Sequence, residues 1–311
     1  MSFTINSTKE YHLNRLNSLG WELTICNALY PENTPIRRVL TCNDSYGHLL
    51  YDYLRKLLPM ERIRKAIEIG GGYGYLMKDF LDRNSSLIPC MLDISPFLLQ
   101  KQKETLEGLH VNYLEKDFLD MDSVFLEDFE LAILNENLGD FPTLVNLSDK
   151  ELQTLSQANN EQILKGSHFL EKYGLNQPVS GTFNMNIGAI EALGKLCKAG
   201  IAYIFLSEHS CEAEVPEHLR SLIHLTSTGN PEKISLMGHD EYSLRFSDLE
   251  LVAHAFGYNC RRGSFTDIVK FDMTEELKIV LASQGRYKDE DEIICHFIED
   301  LYKYEYLILV R

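Results

Sequence analysis

Glu68, Gly70, Gly72, Gly74 and Asp93 are the residues of this chain whose types and spacing carry the most chemistry. The first four lie in Ala66-Ile67-Glu68-Ile69-Gly70-Gly71-Gly72-Tyr73-Gly74-Tyr75-Leu76, an apolar run that ends in an acid and then in alternating glycines. A helical pattern (Met77, Phe80, Leu81) follows directly. A strand turns sharply into a helix only where side chains leave the backbone free, and glycine tolerates the φ > 0 values such turns need. Glycines also let a ligand approach the main chain closely, as in the nucleotide loops of doubly wound folds. Asp93 closes the next apolar run, Pro89-Cys90-Met91-Leu92-Asp93. An acid roughly 20 residues after a glycine turn is placed to accept hydrogen bonds from ribose hydroxyls. Together these features predict an adenosine-type cofactor at the carboxyl edge of a parallel sheet, with Ile94 against the adenine face.

The elements that must hold these residues follow from periodicity. Strands are predicted at 66–70, 89–93, 111–114, 130–135 and 201–206, with helices near 75–83 and 96–107. Strands alternating with crossover helices imply a parallel sheet. Residues 1–62 read as a helical N-terminal extension, because Leu49, Leu50, Tyr53, Leu54, Leu57 and Leu58 recur at helical spacing. Residues 63–311 read as one ligand-binding domain. Its segment 141–196 is polar, reads as mostly helical, and is predicted to lie over the carboxyl edge of the sheet, where ligands bind in open α/β folds. Downstream, Phe246–Phe256 reads as a helix with Ser247 as N-cap, Arg262–Phe271 as a strand, 287–303 as a charged helix, and 304–311 as a final apolar strand.

Two further segments bring polar groups to the same edge. Asp117 and Phe118 follow the third strand, and Asn135 and Glu136 end the fourth. Strand four of a switch-point sheet delivers its last residues to the reactive centre. A carboxylate there could steady a positive charge, accept a proton from an acceptor, or close the strand by a structural hydrogen bond. Asn135 and Glu136 are therefore the candidate catalytic residues, with Asn135 also at the cofactor.

Composition narrows the partners. The chain has 311 residues, 44% of them hydrophobic and 24% charged, enough to bury a core. A formal charge of −16 argues against a phosphate-backbone partner, since nucleic-acid binders present a basic face. It suits a cationic cofactor and a basic substrate. The seven cysteines form no CxxC pair and no apolar run reaches membrane-spanning length, so reduced thiols in a cytoplasmic protein with no membrane partner are expected. Cys90 falls in a predicted buried strand and reads as a core residue. His209 and Cys211 lack a second ligand pair at zinc-like spacing, so no metal site is predicted.

The glycine spacing selects among adenosine cofactors. A dinucleotide fingerprint, G-x-G-x-x-G counted from Gly70, would place its third glycine at Tyr75. The observed E-x-G-x-G-x-G instead resembles motif I of the class I S-adenosylmethionine (SAM) methyltransferases. That resemblance implies a Rossmann-like α/β fold: a mostly parallel seven-stranded sheet with an antiparallel C-terminal strand. It implies S-adenosyl-L-methionine as cofactor, with Glu68 orienting the glycine loop or the cofactor's amino group. Gly70, Gly71, Gly72 and Gly74 would form the loop, and Asp117 with Phe118 would meet the adenine.

A narrower likeness rests on Asp93-Ile94-Ser95-Pro96 with Leu98 and Gln102, on Asn135-Glu136 followed by Pro142, and on Tyr46-Gly47-His48-Leu49-Leu50. These runs resemble segments of the MidA-like methyltransferases over about the first half of the chain. Gly139 and Ser243-Leu244-Arg245-Phe246 depart from that family's pattern, so the cofactor half is kept and the substrate half has diverged. The implied activity is methyl transfer to a protein arginine or a small molecule. A catalytically silent binding protein on the same fold is the alternative, and an NAD-dependent oxidoreductase is less favoured.

Overall fold

Strands buried on both faces of a sheet read as continuous apolar runs, and the central runs of this chain do form one sheet. The computed structural model describes residues 3–18, 24–148, 161–175 and 181–311. The chain opens with β1 (Thr4–Asn6), α1 (Lys9–Asn14), α2 (Ile25–Leu29) and α3 (Tyr46–Leu54). Strands and helices then alternate: β2 (Lys65–Ile69), α4 (Tyr75–Arg83), β3 (Ile88–Asp93), α5 (Pro96–Thr105), β4 (Asn112–Glu115), α6 (Ser123–Leu126) and β5 (Leu131–Asn135). The remaining strands are β6 (Thr143–Ser148), β7 (Thr182–Met185), β8 (Tyr203–His209), β9 (Lys233–Ser235), β10 (Asp240–Tyr242), β11 (Asn259–Ser264) and β12 (Tyr304–Val310).

The main sheet has seven strands in the order β11-β12-β8-β5-β2-β3-β4. Strand β12 runs antiparallel to both its neighbours, and the strands from β8 to β4 pair in parallel. This is the Rossmann-like α/β architecture expected from the sequence. The order reverses at β2, whose neighbours β5 and β3 leave in opposite directions, so a crevice opens at its carboxyl end.

Side chains alternate between the two faces of the strands. Ala66, Met91, Leu131, Ile133, Phe205 and Ile308 pack against α3, α4 and the helix Asp289–Lys303 through Leu50, Leu54, Met77, Phe80 and Ile298. Ile67, Leu92, Leu134, Ile204, Leu206 and Leu309 face the helices Ile187–Ala199 and Phe246–Ala255 through Leu193, Leu196, Leu249 and Val252. Phe80 is fully buried, and truncating such a side chain to Ala costs about 3–5 kcal/mol.

The structure departs from expectation in three places. The segments read as helical, 1–62 and 141–196, also contribute strands: β1, β6 and β7 form a three-stranded antiparallel sheet. Residues 149–160 and 176–180 of the second segment lie outside the described residues. Alternating burial in Thr182-Phe183-Asn184-Met185 is the local cause, with Asn184 joined by hydrogen bonds to Asn146 of β6 and to Asn230. The β1–β6 pairing joins residues 4–6 to 143–145. Finally, the strand expected over 262–271 runs from Asn259 to Ser264, where its pairing with β12 ends, and the chain turns to bury Phe265 against Tyr304. The helix Phe246–Ala255 is capped at Arg245, while Ser247 bonds to the Glu212 carboxylate. No helix among the described residues is long and apolar enough to cross a membrane.

Candidate active site

Strands β2, β3, β5 and β8 end on one edge and bring Glu68, Asp93, Asn135–Glu136 and Glu208 around a cleft of about 490 Å³. The predicted residues Gly70, Gly71, Gly72, Ile94, Asp117 and Phe118 line it as well. Gly74 does not. It caps α4 at φ 84°, and a Cβ there would lie 3.3 Å from the Gln102 backbone, so this glycine serves the turn and helix packing. Gly70, at φ 64°, is closed over by Asn137, whose side-chain amide donates to the Ile69 carbonyl and would collide with any Cβ on Gly70.

Glu68 is a buried acid at the centre of the site. It is 2% exposed, and its Oε2 has no hydrogen-bond partner among the described residues. Burial, and then the charge of Asp93, push its carboxyl up to about 8. Gly71 gives it room: an added Cβ would come 2.9 Å from the Glu68 carboxyl carbon.

Asp93 is held by two local donors. Its Oδ1 accepts the Ser95 N–H at 2.9 Å and its Oδ2 accepts Gln102 Nε2 at 2.8 Å. Gln102 also donates to the Gly72 carbonyl at 3.1 Å, so one amide ties the glycine turn to the acid that ends β3. Burial raises the Asp93 carboxyl to about 6. A carboxylate has about four lone-pair sites, so two remain for a ligand. Asp117 accepts Leu119 N–H at 2.9 Å and Lys9 Nζ at 2.7 Å, and Lys9 thereby fastens the start of α1 across this end of the cleft.

Asn135 and Glu136 are built into a network. Tyr46 Oη and Ser207 Oγ both donate to Asn135 Oδ1 at 2.9 Å, which turns Asn135 Nδ2 onto Glu136 Oε1 at 2.9 Å. Glu136 adopts φ 54° and accepts two amides at the start of α2: Ile25 N–H at 2.7 Å and Cys26 N–H at 3.2 Å. These are donors that a helix start leaves without intrahelical partners. Of the roles open to Glu136, the structure shows the structural one: its oxygens hold the N-terminal segment, because α2 arrives over the end of β5, and the residue also lines the cleft. Burial raises its carboxyl to about 7 against the pull of these hydrogen bonds. Beyond the other end of α2, the Tyr30 ring stacks on Tyr75 with centroids 3.5 Å apart.

Sequence reasoning missed several lining residues: Lys9 and His12 from the N-terminal segment, Glu208 and His209 at the end of β8, and Glu241 and Asp300. The switch-point rule applied to strand five, as it was to strand four, would have reached Glu208 and His209; nothing local in the sequence points to the others. Glu208 Oε2 accepts the Gly139 N–H at 3.0 Å, and a Cβ on Gly139 would lie 3.1 Å from the Tyr242 carbonyl. A side chain at 139 would therefore crowd the Tyr242 backbone and the Glu208 carboxylate. Burial would lower His209, but the nearby carboxylates of Asp300, 3.9 Å from its Nε2, and Glu208, 3.5 Å from its Nδ1, raise it above its ordinary value.

No protein-family model matches the chain, and no curated protein matches it. Solved structures share its fold. An uncharacterized protein from Burkholderia thailandensis superposes with a TM-score of 0.56 at 13% identity, covering 97% of this chain and 86% of that one. A candidate methyl transferase from the same organism, bound to S-adenosyl-homocysteine, gives 0.51 at 13% identity over 89% of this chain and 77% of that one.

Proposed function

We propose that this chain is a SAM-dependent methyltransferase acting on a basic nitrogen acceptor. The observation that carries the reading is the buried Glu68 carboxylate oxygen beside the glycine turn, which has no partner among the described residues and stands in one cleft with Asp93. A cationic amino group is the ligand chemistry such an oxygen suits, and a nicotinamide dinucleotide offers none at that end. The structural relative bound to S-adenosyl-homocysteine supports the same ligand class.

In this reading Glu68 and the Gly70–Gly72 backbone hold the methionine end, and the remaining Asp93 lone pairs receive the ribose hydroxyls. Ile94, Leu98 and Phe118 cover the adenine, with Asp117 toward its exocyclic amine. When bound, SAM supplies an electrophilic methyl group on a sulfonium. Transfer by in-line displacement needs chiefly proximity and orientation. Glu136 therefore acts by holding α2 over the cleft and excluding water, with Asn135 orienting it. Glu208, Glu241, Asp300 and His209 line the cleft with negative charge and a titratable imidazole, which favours a cationic acceptor and can take its proton. Protein arginine, suggested by the likeness to MidA-like methyltransferases, has that chemistry.

Calorimetric titration with SAM, S-adenosylhomocysteine and NAD, followed by labelled-methyl transfer onto protein and small-molecule fractions, tests the reading. Binding of NAD and not SAM overturns it. SAM binding without transfer to any fraction returns the chain to a silent binding role.

A further inference from the structure

Asp140 Oδ1 lies 3.0 Å from His12 Nε2 and 3.6 Å from His239 Nε2. The ligand atoms of these three residues all lie within 4.8 Å of one another. They come from three parts of the chain: α1, the turn Leu138–Asp140 after β5, and the residue just before β10. Glu241 Oε1 stands 3.0 Å from His239 Nε2, at the border of the group.

Two imidazoles and a carboxylate are the donor set of borderline divalent transition ions. Zinc binds histidine nitrogen at about 2.0–2.1 Å and carboxylate oxygen at about 2.0–2.2 Å. Tetrahedral ligands at such bond lengths stand about 3.3–3.5 Å apart, and the 3.0 and 3.6 Å separations bracket that spacing. Magnesium and calcium prefer oxygen-only shells, which this set is not.

Neighbouring groups hold this cluster in place. The Tyr11 ring stacks on His239 with centroids 4.1 Å apart. Thr8 Oγ1 donates to the Asp140 carbonyl at 2.9 Å, fixing the turn that carries the carboxylate. The side chains of His12, His239 and Asp140 are 12%, 4% and 21% exposed, so the cluster is partly shielded from solvent.

We propose that His12, Asp140 and His239 form a binding site for one divalent transition cation of the zinc type, which pins the N-terminal segment to the rim of the cleft. Protons can join the same groups in place of a cation, and the two arrangements differ in what the folded protein binds. The site stands independently of the cofactor reading, since none of its three groups is assigned there.

The full chain, stripped with EDTA and confirmed folded by circular dichroism, is titrated with zinc chloride and its metal content measured by mass spectrometry. One equivalent should bind. His12→Ala and His239→Ala should each weaken binding at least tenfold. His48→Ala, in the cluster with Asp79 and Asp82, should leave it unchanged. In the wild-type protein the imidazole resonances of His12 and His239 should shift at one equivalent of zinc, a readout that needs no variant to fold. A folded wild-type chain that takes up no stoichiometric zinc overturns the proposal. So do histidine variants of unchanged affinity, or wild-type imidazole signals that zinc leaves in place.

Discussion

Glu136 Oε2 accepts the Ile25 backbone N–H at 2.7 Å, joining the end of β5 to the first turn of α2 across 111 positions of sequence. The carboxylate serves as an external cap. Thr24 already accepts the Asn27 N–H, and Glu136 takes the Ile25 and Cys26 amides that remain. A negative charge at a helix start is favoured electrostatically, and here the helix it holds closes the cleft.

Glu136→Gln should loosen that closure. The amide keeps one acceptor oxygen and turns an NH₂ group toward a backbone donor, at a cost of about 1–3 kcal/mol for a stranded buried polar group. Hydrogen exchange of residues 24–29 should accelerate about tenfold or more, while exchange in β2 and β3 stays unchanged. Unaltered exchange at Ile25 and Cys26 would show that the contact holds nothing.

Asp93→Asn should weaken SAM binding about 10–100-fold, the equivalent of about 1.4–2.8 kcal/mol. The variant presents an NH₂ group either to Ser95 N–H or to Gln102 Nε2, both of which now donate to the carboxylate. Calorimetric titration measures the change, and an unchanged dissociation constant places the ribose elsewhere.

The pH dependence of stability should slope downward across neutrality. Burial raises Glu68 to about 8 and Glu136 to about 7 from an ordinary 4.5. A raised carboxyl means that the folded chain binds protons more tightly than the unfolded one. Its stabilisation is therefore complete below about 4.5 and is lost as pH rises toward 7–8. The melting midpoint of the ligand-free protein should fall from pH 5.5 to 8. Glu68→Gln, neutral throughout, should flatten the slope. SAM affinity should rise over the same interval, because an ammonium group beside Glu68 favours its ionised form. A midpoint that climbs with pH contradicts this account.

The positions of Glu68, Asp93 and the glycine turn were legible in the sequence because each depends on neighbours a few residues away. A strand buried on both faces must be apolar along its length, a sharp strand-to-helix turn needs glycine, and an acid just past an apolar run must lie at the strand's end. The helix at 75–83 and the strands around it were placed to within a residue or two for the same reason. Gly74 shows the limit of such reading: its spacing is that of a ligand contact, yet its Cα packs against α5.

What the tertiary structure decided is what covers the cleft. Residues 4–6 add a strand beside β6, Ile25 and Cys26 reach Glu136, and Lys9 reaches Asp117. His12, Asp140 and His239 meet although well over a hundred positions separate the first two. None of these pairings leaves a periodicity or a spacing in the sequence. A hydrogen bond or a shared ligand between distant segments constrains only which groups end up within about 3 Å of one another, and that is fixed by how the elements pack.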